Sequence, residues 1–435
     1  MSRRQTLKRS LGLFAAIAVA GATVGCGTQL REPEAGGEAA TITYWSAWNE
    51  GEAQQKIFET VREAFTAETG IEIEVEYLGR QVTTTLVNAL GTGTGPDLFD
   101  AGSRNLRDYE QRGFLADMSD LMKTTIPGED NTVEESFSAA VLSAASGEKG
   151  VGILPTYVNS NAIWFNAAAH PEIDKNPPET WEEFIAVLDA EKAAGRVPLG
   201  ADGTVPGYNV FWFYQSMMQT SGPGSLRALA EDAANWDAPE VLQSAQMVQQ
   251  IVDGGYLQAD YMGTKYPDAQ NRWAQNEYSF ILGGSYLEGE TRAQQASGFT
   301  ARTILFPTVD GNERTMEATA SGLAANADSK NLDAVKQFLA FAAKKEYQEL
   351  YSTEAGFIAA RQDVTPPETL ETLVDAIADA TSTTQTYDLA GALHSAWWND
   401  VLLPLNDQLF SGAIDAEQFV ALGKEQTAAH ISANS

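Results

Sequence analysis

Residues 71–77 read IEIEVEY, with Ile71, Ile73, Val75 and Tyr77 on one side of the alternation and Glu72, Glu74 and Glu76 on the other. A period of two is the mark of a half-buried strand and is incompatible with a helix. Just upstream, EAQQKIFETVREAFTAETG sets Ile57, Val61 and Phe65 four apart, one stripe of a helix ending at Gly70, and TITYW (41–45) is a short β-branched and aromatic run. A further helical stretch around Val82, Leu86 and Leu90 leads to GTGTGPDLFDAGS, where Pro96 and Asp97 introduce the strand LFDA. Strand, helix, strand, helix, strand predicts an α/β fold with a parallel sheet and right-handed crossovers. Ligands of such sheets sit beyond the carboxyl ends of the strands. The glycines of GTGTG (91–95) follow a helix and precede a strand, the reverse of a phosphate loop, so they are read as a helix C-cap.

Cys26 is the one cysteine in 435 residues. It can close no intramolecular disulfide and build no thiolate metal site alone, which leaves a free thiol, an intermolecular bridge or a point of covalent attachment. Before it stand MSRRQTLKRS, with Arg3, Arg4, Lys8 and Arg9 and no acid, and the apolar run LGLFAAIAVAGATVG. That is the layout of an export signal, too short to span a bilayer comfortably. SRRQTLK resembles a twin-arginine export motif with Thr6 where an aromatic is usual, and TVGC resembles a bacterial lipobox, in which the cysteine sulfur carries diacylglycerol. A cleaved secretory signal with an incidental cysteine is the alternative. Residues 1–25 are therefore expected to be a signal peptide, and 26–40, rich in Gly, Glu and Ala, a flexible tether.

Removing the four signal cations takes the formal net charge from −31 to −35. A surface this acidic repels phosphate backbones and anionic lipid headgroups, so nucleic acid and direct membrane docking are excluded as partners. The hydrophobic share of 43% is that of a folded body, and roughly 395 residues beyond the tether call for two or more domains. No later stretch is long and apolar enough to cross a membrane.

The loop after the first strand is SAWNEGE, placing Trp48, Asn49 and Glu50 where no periodicity requires an indole. An aromatic face covers the C–H surface of a pyranose while carboxylates and amides answer its hydroxyls, which suits this loop to a sugar site. Trp45 belongs to the strand and is read equally well as core.

Several motifs recur in order: TITYWSAW, VREAFTAETGIEIEV, GTGTGPDLFDAG, GILPTYVNSNAIWFN, PPETWEEFIAVLDAEKAAGRVPL, YSFILGGSYL, NADSKNLDAVKQFLAFAAKKEYQELYSTEAG and a C-terminal tryptophan pair. With them the chain from Thr41 to its end resembles the extracytoplasmic solute-binding proteins of ABC importers, in the sugar-binding group that includes maltose-binding protein. The resemblance implies a two-lobed type II fold, each lobe a mostly parallel sheet flanked by helices, with solute held in the cleft between them. Lobe 1 would be 41–153 plus 306–361 and lobe 2 would be 154–305 plus 366–435, with GILP (152–155) and ILFPT (304–308) as crossings and a third between about Arg361 and Trp397. Carried over motif by motif, the implied contacts are Trp48, Asn49, Glu50, Asp100, Ser103, Tyr157 and Asn159. Of Phe211, Trp212 and Tyr214 in NVFWFYQS, Trp212 is assigned the stacking role. ILGGSY adds Gly284, Ser285 and Tyr286, with Tyr286 where the family commonly has tryptophan. STEAGFIAAR adds Glu354 and Arg361, and ALHSAWWND adds Trp397 and Trp398, one of which faces the cleft. Trp236 is read as a packing residue, and the helices around Phe184, Val187 and Leu188 and around Val335, Phe338, Leu339 and Ala342 as support.

The implied function is capture of a mono- or oligosaccharide and delivery to the permease of an ABC importer, by a monomer anchored through Cys26 at the outer face of the cytoplasmic membrane or in the periplasm. No cofactor and no metal are expected, since His170, His394 and His430 are far apart and form no HExxH-like pair. There is no G-x-S-x-G elbow. A secreted glycoside hydrolase is the alternative, with Glu288 and Glu290 the suspected pair, as is a sugar sensor without a transporter. An anionic solute would call for clustered cations, and only Arg80, Arg104 and Arg361 fall near the implied cleft.

Overall fold

The structure, a computed structural model, describes residues 40–79, 82–309 and 311–434. The expected signal, Cys26 and the tether up to residue 39 lie outside the described residues, as does Arg80. Strand β1 (Thr41–Ser46) runs parallel to β2 (Glu72–Tyr77), with Ile73 buried and the three glutamates exposed. Helix α1 (Ala53–Thr69) joins them and buries Ile57, Phe58, Val61 and Phe65. It ends where Gly70, at φ 74°, turns its N–H back to the carbonyl of Thr66 at 2.8 Å. Helix α2 (Val82–Gly91) leads to β3 (Leu98–Gly102), also parallel to β1. The glycines after α2 cap it: Gly93 adopts φ 71° and its N–H reaches Leu90, while that of Thr94 reaches Ala89.

Helix α3 (Ser103–Gln111) begins directly where β3 ends. Strand β4 (Leu154–Asn159) then joins the same sheet, and β5 (Asn161–Asn166) opens a second one. The remaining elements that position the site are helix α4 (Trp181–Ala193), β6 (Leu199–Gly200), α5 (Pro206–Thr220), β7 (Phe280–Gly284), β8 (Ala301–Ile304), β9 (Thr315–Glu317), β10 (Thr319–Ala325), β11 (Ile358–Ala359) and β12 (Ser382–Thr384). The first sheet has six strands in the order β11-β4-β10-β3-β1-β2, the second four in the order β8-β5-β7-β6, and β9 pairs in parallel with β12. This is the expected two-lobed α/β architecture, with sheets that are mixed and not, as expected, mostly parallel. Parallel pairing within the sheets is confined to β1 with β2 and β3, and to β6 with β7; the strands next to the crossings pair antiparallel.

The chain passes between the sheets three times, and the strands place these passages differently from the motif reading. The first lies at Ser160, between β4 and β5, rather than at 152–155. Pro155 sits in β4 opposite Gly322, where the ladder with β10 shifts register, a place in a sheet that tolerates a residue without an N–H. A Cβ on Gly322 would stand 1.9 Å from the carbonyl oxygen of Leu154, so the close approach of the two strands depends on that glycine. The return passage extends from β8 through β9 to β10, beyond ILFPT, and the third contains β12.

Apolar packing follows the sequence periodicity. Phe184 and Leu188 of α4 are fully buried, and α4 starts on a capping box in which Thr180 and Glu183 bond each other's backbone N–H. Val335, Phe338, Leu339 and Ala342 are buried on the helix Leu332–Ala342. Trp236 is buried and donates to the Leu229 carbonyl and to Thr427 Oγ1.

Arg361 is a structural residue here, 3% exposed. Its guanidinium pairs with Glu129 at 2.5 Å and with Asp363 at 2.7 Å, and donates to the Ala343 carbonyl at 2.8 Å. Removing the guanidinium leaves Glu129 and Asp363, whose side chains are 20% and 41% exposed, without their counter-charge and the Ala343 carbonyl without its donor. Arg361→Ala is expected to lower unfolding free energy by about 2 kcal/mol, measured by urea unfolding; an unchanged midpoint would mean that the network carries no stability.

Candidate functional site

A cavity of about 930 Å³ lies between the lobes, lined from both sheets and from the passages that join them. On the lobe 1 side, Asp100 of β3 fixes the loop that follows β1. Its carboxylate accepts from the Tyr44 hydroxyl at 2.7 Å, the Ser46 hydroxyl at 3.1 Å and the Ala47 N–H at 2.7 Å. Burial, and then the neighbouring Asp100 charge, hold the Tyr44 hydroxyl protonated far above its ordinary range. The loop so held carries Trp48, whose ring centroid is 6.3 Å from that of Tyr157 on β4. Tyr157 packs in turn on Phe357 at 4.8 Å and stacks on Tyr351 at 5.9 Å. These rings give lobe 1 an aromatic wall with Asp100 at its base.

On the lobe 2 side, α5 presents Tyr208 and Phe211, one turn apart on a single helix face. Their rings stack at 5.9 Å and 15°, and Phe211 stacks on Tyr387 at 5.0 Å and 24°. Tyr387 belongs to the third passage, where Tyr387, Asp388 and Leu389 all take positive φ (55°, 52° and 60°). L-residues pay for that conformation, and it persists only where surrounding contacts over-determine it. Here the Asp388 carboxylate accepts from the N–H of Gly224 and of Arg227, and the Tyr387 hydroxyl donates to the Gly207 carbonyl at 2.8 Å. Trp398 packs behind Tyr387 at 4.8 Å. Tyr286 completes this wall: a Cβ on Gly284 would fall 2.2 Å from its ring, so the glycine makes the room the ring occupies. Burial pushes the Tyr286 hydroxyl well above its usual range, with the Tyr208 hydroxyl beside it.

Polar groups face the same space: Glu52, Asp100, Asn159, Asn161, Glu290, Glu317, Glu354 and Thr386, with Arg104 and Arg292 as the cations. Arg292 is held by Glu288 at 2.7 Å, so acids outnumber cations in the cleft. Glu290 accepts from the Tyr266 hydroxyl and from Gln270, and Glu288 is the partner of Arg292. Both members of the suspected acid pair are thus engaged with protein donors. Among the described residues, no group of three or more His, Cys, Asp or Glu is placed to hold a metal ion, and no helix is long and apolar enough to cross a membrane.

Of the residues named from sequence, Trp48, Asp100, Ser103, Tyr157, Asn159, Gly284, Tyr286 and Glu354 line the cavity, as do Phe211, Arg104 and Glu290, named there in other roles. Ser103 spends its hydroxyl on the protein, donating to the Ala144 carbonyl and accepting from the Ala320 N–H. The others lie off it. Asn49 bonds Glu52 and Glu50 is exposed, while Glu52, two residues on, lines the cavity. Trp212 is packed between Phe184 and Phe306 behind the cleft, because it stands a quarter-turn around α5 from Phe211. Ser285 is buried against Ser160, its N–H donating to that carbonyl at 2.8 Å. Arg361 is spent on Glu129 and Asp363. Trp397 is 1% exposed and donates to Thr427 Oγ1, and Trp398 stands behind Tyr387, so neither indole of the pair lines the cavity. Tyr208, Tyr387, Asn161 and Glu317 were not singled out. The spacing of Tyr208 and Phe211 after Pro206 was a usable helical signal, whereas QTYDL (385–389) has no periodicity from which its contacts could be read.

Comparison with known proteins agrees with this geometry. The "Probable sugar-binding periplasmic protein" of Mesorhizobium japonicum is 24% identical over 292 residues, covering 66% of this chain and 67% of the relative. The bacterial solute receptor AcbH superposes with a TM-score of 0.73 at 17% identity, covering 90% of this chain and 98% of the receptor. RafE of Streptococcus pneumoniae, in its apo form, gives 0.71 at 15%, covering 90% and 98%. The family described as bacterial extracellular solute-binding protein matches residues 47–349, and with a two-lobed fold around a lined cleft the chain belongs to that family.

Proposed function

We propose that this protein captures a neutral carbohydrate, mono- or oligosaccharide, between its lobes and delivers it to the membrane subunits of an ABC importer without altering it chemically. The observation that carries the reading is the pairing of walls: Trp48 and Tyr157 on lobe 1 face a cavity whose other side is Tyr208, Phe211, Tyr286 and Tyr387. Aromatic faces on two sides suit the C–H faces of a pyranose, and Glu52, Asp100, Glu290, Asn159 and Asn161 suit its hydroxyls. An acidic cleft disfavours phosphorylated solutes. The names of similar proteins point the same way: AcbH is described with an exclusive preference for β-D-galactopyranose, and RafE in complex with raffinose. A family of binding proteins supports non-covalent capture, in which lobe closure about the passages traps solute.

A thermal-shift screen against galactose, raffinose, xylo- and chito-oligosaccharides is expected to find a sugar that raises Tm by linkage. A shift by polyamines, amino acids or phosphates with none by any sugar would contradict the carbohydrate assignment. For the sugar found, Phe211→Ala and Tyr387→Ala should each weaken binding by about tenfold, or about 1.4 kcal/mol, by calorimetry. Trp212→Ala is expected to lower stability instead, through the cavity it leaves.

Anchoring belongs to the same proposal. A receptor that serves a membrane importer works best held beside it, and the two or more acyl chains of a lipidated Cys26 would hold it where one chain binds only marginally. Cys26→Ser is expected to release the protein from membranes on cell fractionation while solute binding stays intact. A membrane-bound variant would contradict the anchor.

A further inference from the structure

One buried carboxylate touches all three passages between the lobes. Glu317 is the last residue of β9, in the second passage, and is 4% exposed. Its Oε2 accepts from Asn161 Nδ2 at 2.6 Å, on the first residue of β5 where the first passage at Ser160 ends, and from the Tyr214 hydroxyl at 2.9 Å, on α5 of lobe 2. Its Oε1 accepts from Thr386 Oγ1 at 2.7 Å, in the third passage. The same side chain lines the interlobe cavity. A two-lobed protein closes by dihedral changes confined to its crossing segments, so this carboxylate is bonded to each segment that must move.

We propose that Glu317 is a positioning residue that makes the three passages act as one hinge, and that proton uptake on its carboxylate favours the closed arrangement of the lobes. The inference rests on the solute-binding reading of the cleft. Two effects compete for the sign. Closing the cleft removes the last 4% of its exposure and the water of the cavity it lines, which favours the neutral form. The Arg104 guanidinium, near the start of α3 in lobe 1, favours the ionised form. In this arrangement burial is the largest influence on Glu317, raising it from 4.5 to about 7 against the donors Thr386, Tyr214 and Asn161, and Arg104, exposed and screened by water, opposes it least. Loss of the remaining water on closure adds to the influence that already dominates. The other titratable groups around it are the phenols of Tyr214 and Tyr387, both pushed up by burial and protonated throughout this range, and Asp388, whose carboxylate is bonded to Gly224, Arg227 and Thr384. Both protonation states can be bonded: the Tyr214 hydroxyl also lies 3.1 Å from the Gln385 carbonyl, so it can donate there and accept from a protonated Glu317.

Two measurements on the full chain test this. In small-angle X-ray scattering without solute, the radius of gyration of the wild type should fall between about pH 8 and about pH 6, and that of Glu317→Gln should not. Thr386→Val removes one donor to the ionised form but keeps the carboxyl, so it should move the wild-type midpoint to higher pH. It keeps the test open if the Gln variant folds poorly. An equal radius at both pH values in the wild type, or the same change in Glu317→Gln, would overturn the proposal. In calorimetry with galactose and raffinose, whichever binds should do so about fivefold more tightly at the lower pH in the wild type, with no pH dependence in Glu317→Gln. If no sugar of the thermal-shift screen binds while the scattering responds as stated, the carbohydrate reading fails and the hinge proposal stands. If a sugar binds with the same affinity at both pH values and the radius is also unchanged, the hinge proposal fails and the carbohydrate reading stands.

Discussion

The hydrogen bonds on Glu317 sit at the point on which the cleft depends, because two sheets joined by three passages of chain form a defined cavity only if the passages hold a common geometry. Asn161, Tyr214 and Thr386 each give a donor to that carboxylate, and β9 pairs with β12 beside it. An ionised acceptor makes each bond shorter and roughly twice as strong as a neutral one, while its burial costs solvation. The balance is a group that titrates near neutrality instead of in the usual carboxylate range. Folding linkage fixes the sign: a carboxyl raised from 4.5 to about 7 contributes stability that is full below 4.5 and is lost as pH rises through about 7.

From this junction the walls follow. β4 enters it and brings Tyr157 with it; β12 leaves it and delivers Tyr387 through a left-handed turn pinned by Asp388. Asp100 does for the loop carrying Trp48 what Asp388 does for the loop carrying Tyr387: a carboxylate accepts backbone N–H groups that the loop would otherwise leave unpaired. The aromatic rings are thus presented by segments with few conformations open to them, which lowers the ordering cost of binding.

Much of the frame was legible because periodicity is a local property. IEIEVEY, the α1 stripe ending at Gly70 and the glycine cap after α2 depend on near neighbours in sequence, and each appears where those neighbours put it. Of the eight implied contacts that line the cavity, Trp48, Ser103, Asn159, Gly284 and Tyr286 stand at or just beyond strand ends, which is where an open sheet puts its ligands, whereas Asp100 and Tyr157 lie within strands and Glu354 follows a helix. What sequence could not supply was the direction of a side chain on an element buried on both faces. NVFWFYQS is aromatic almost all round, so nothing in it says that Phe211 rather than Trp212 points to the cleft. Arg361 and Ser285 drew attention for their chemistry, yet that chemistry is spent on partners distant in sequence, Glu129 and Ser160. GILP (152–155) resembles a crossing, yet β4 runs through it because the register shift at Gly322 accommodates Pro155.

The claim beneath all of this is that solute is held between the two aromatic walls. A crystal structure of the protein with the sugar found by screening tests it most directly. Sugar density is expected in the interlobe cavity, with ring faces against Tyr157 or Trp48 on one side and Phe211, Tyr286 or Tyr387 on the other. Sugar bound outside the cavity, or inside it with no ring on an aromatic face, would contradict it.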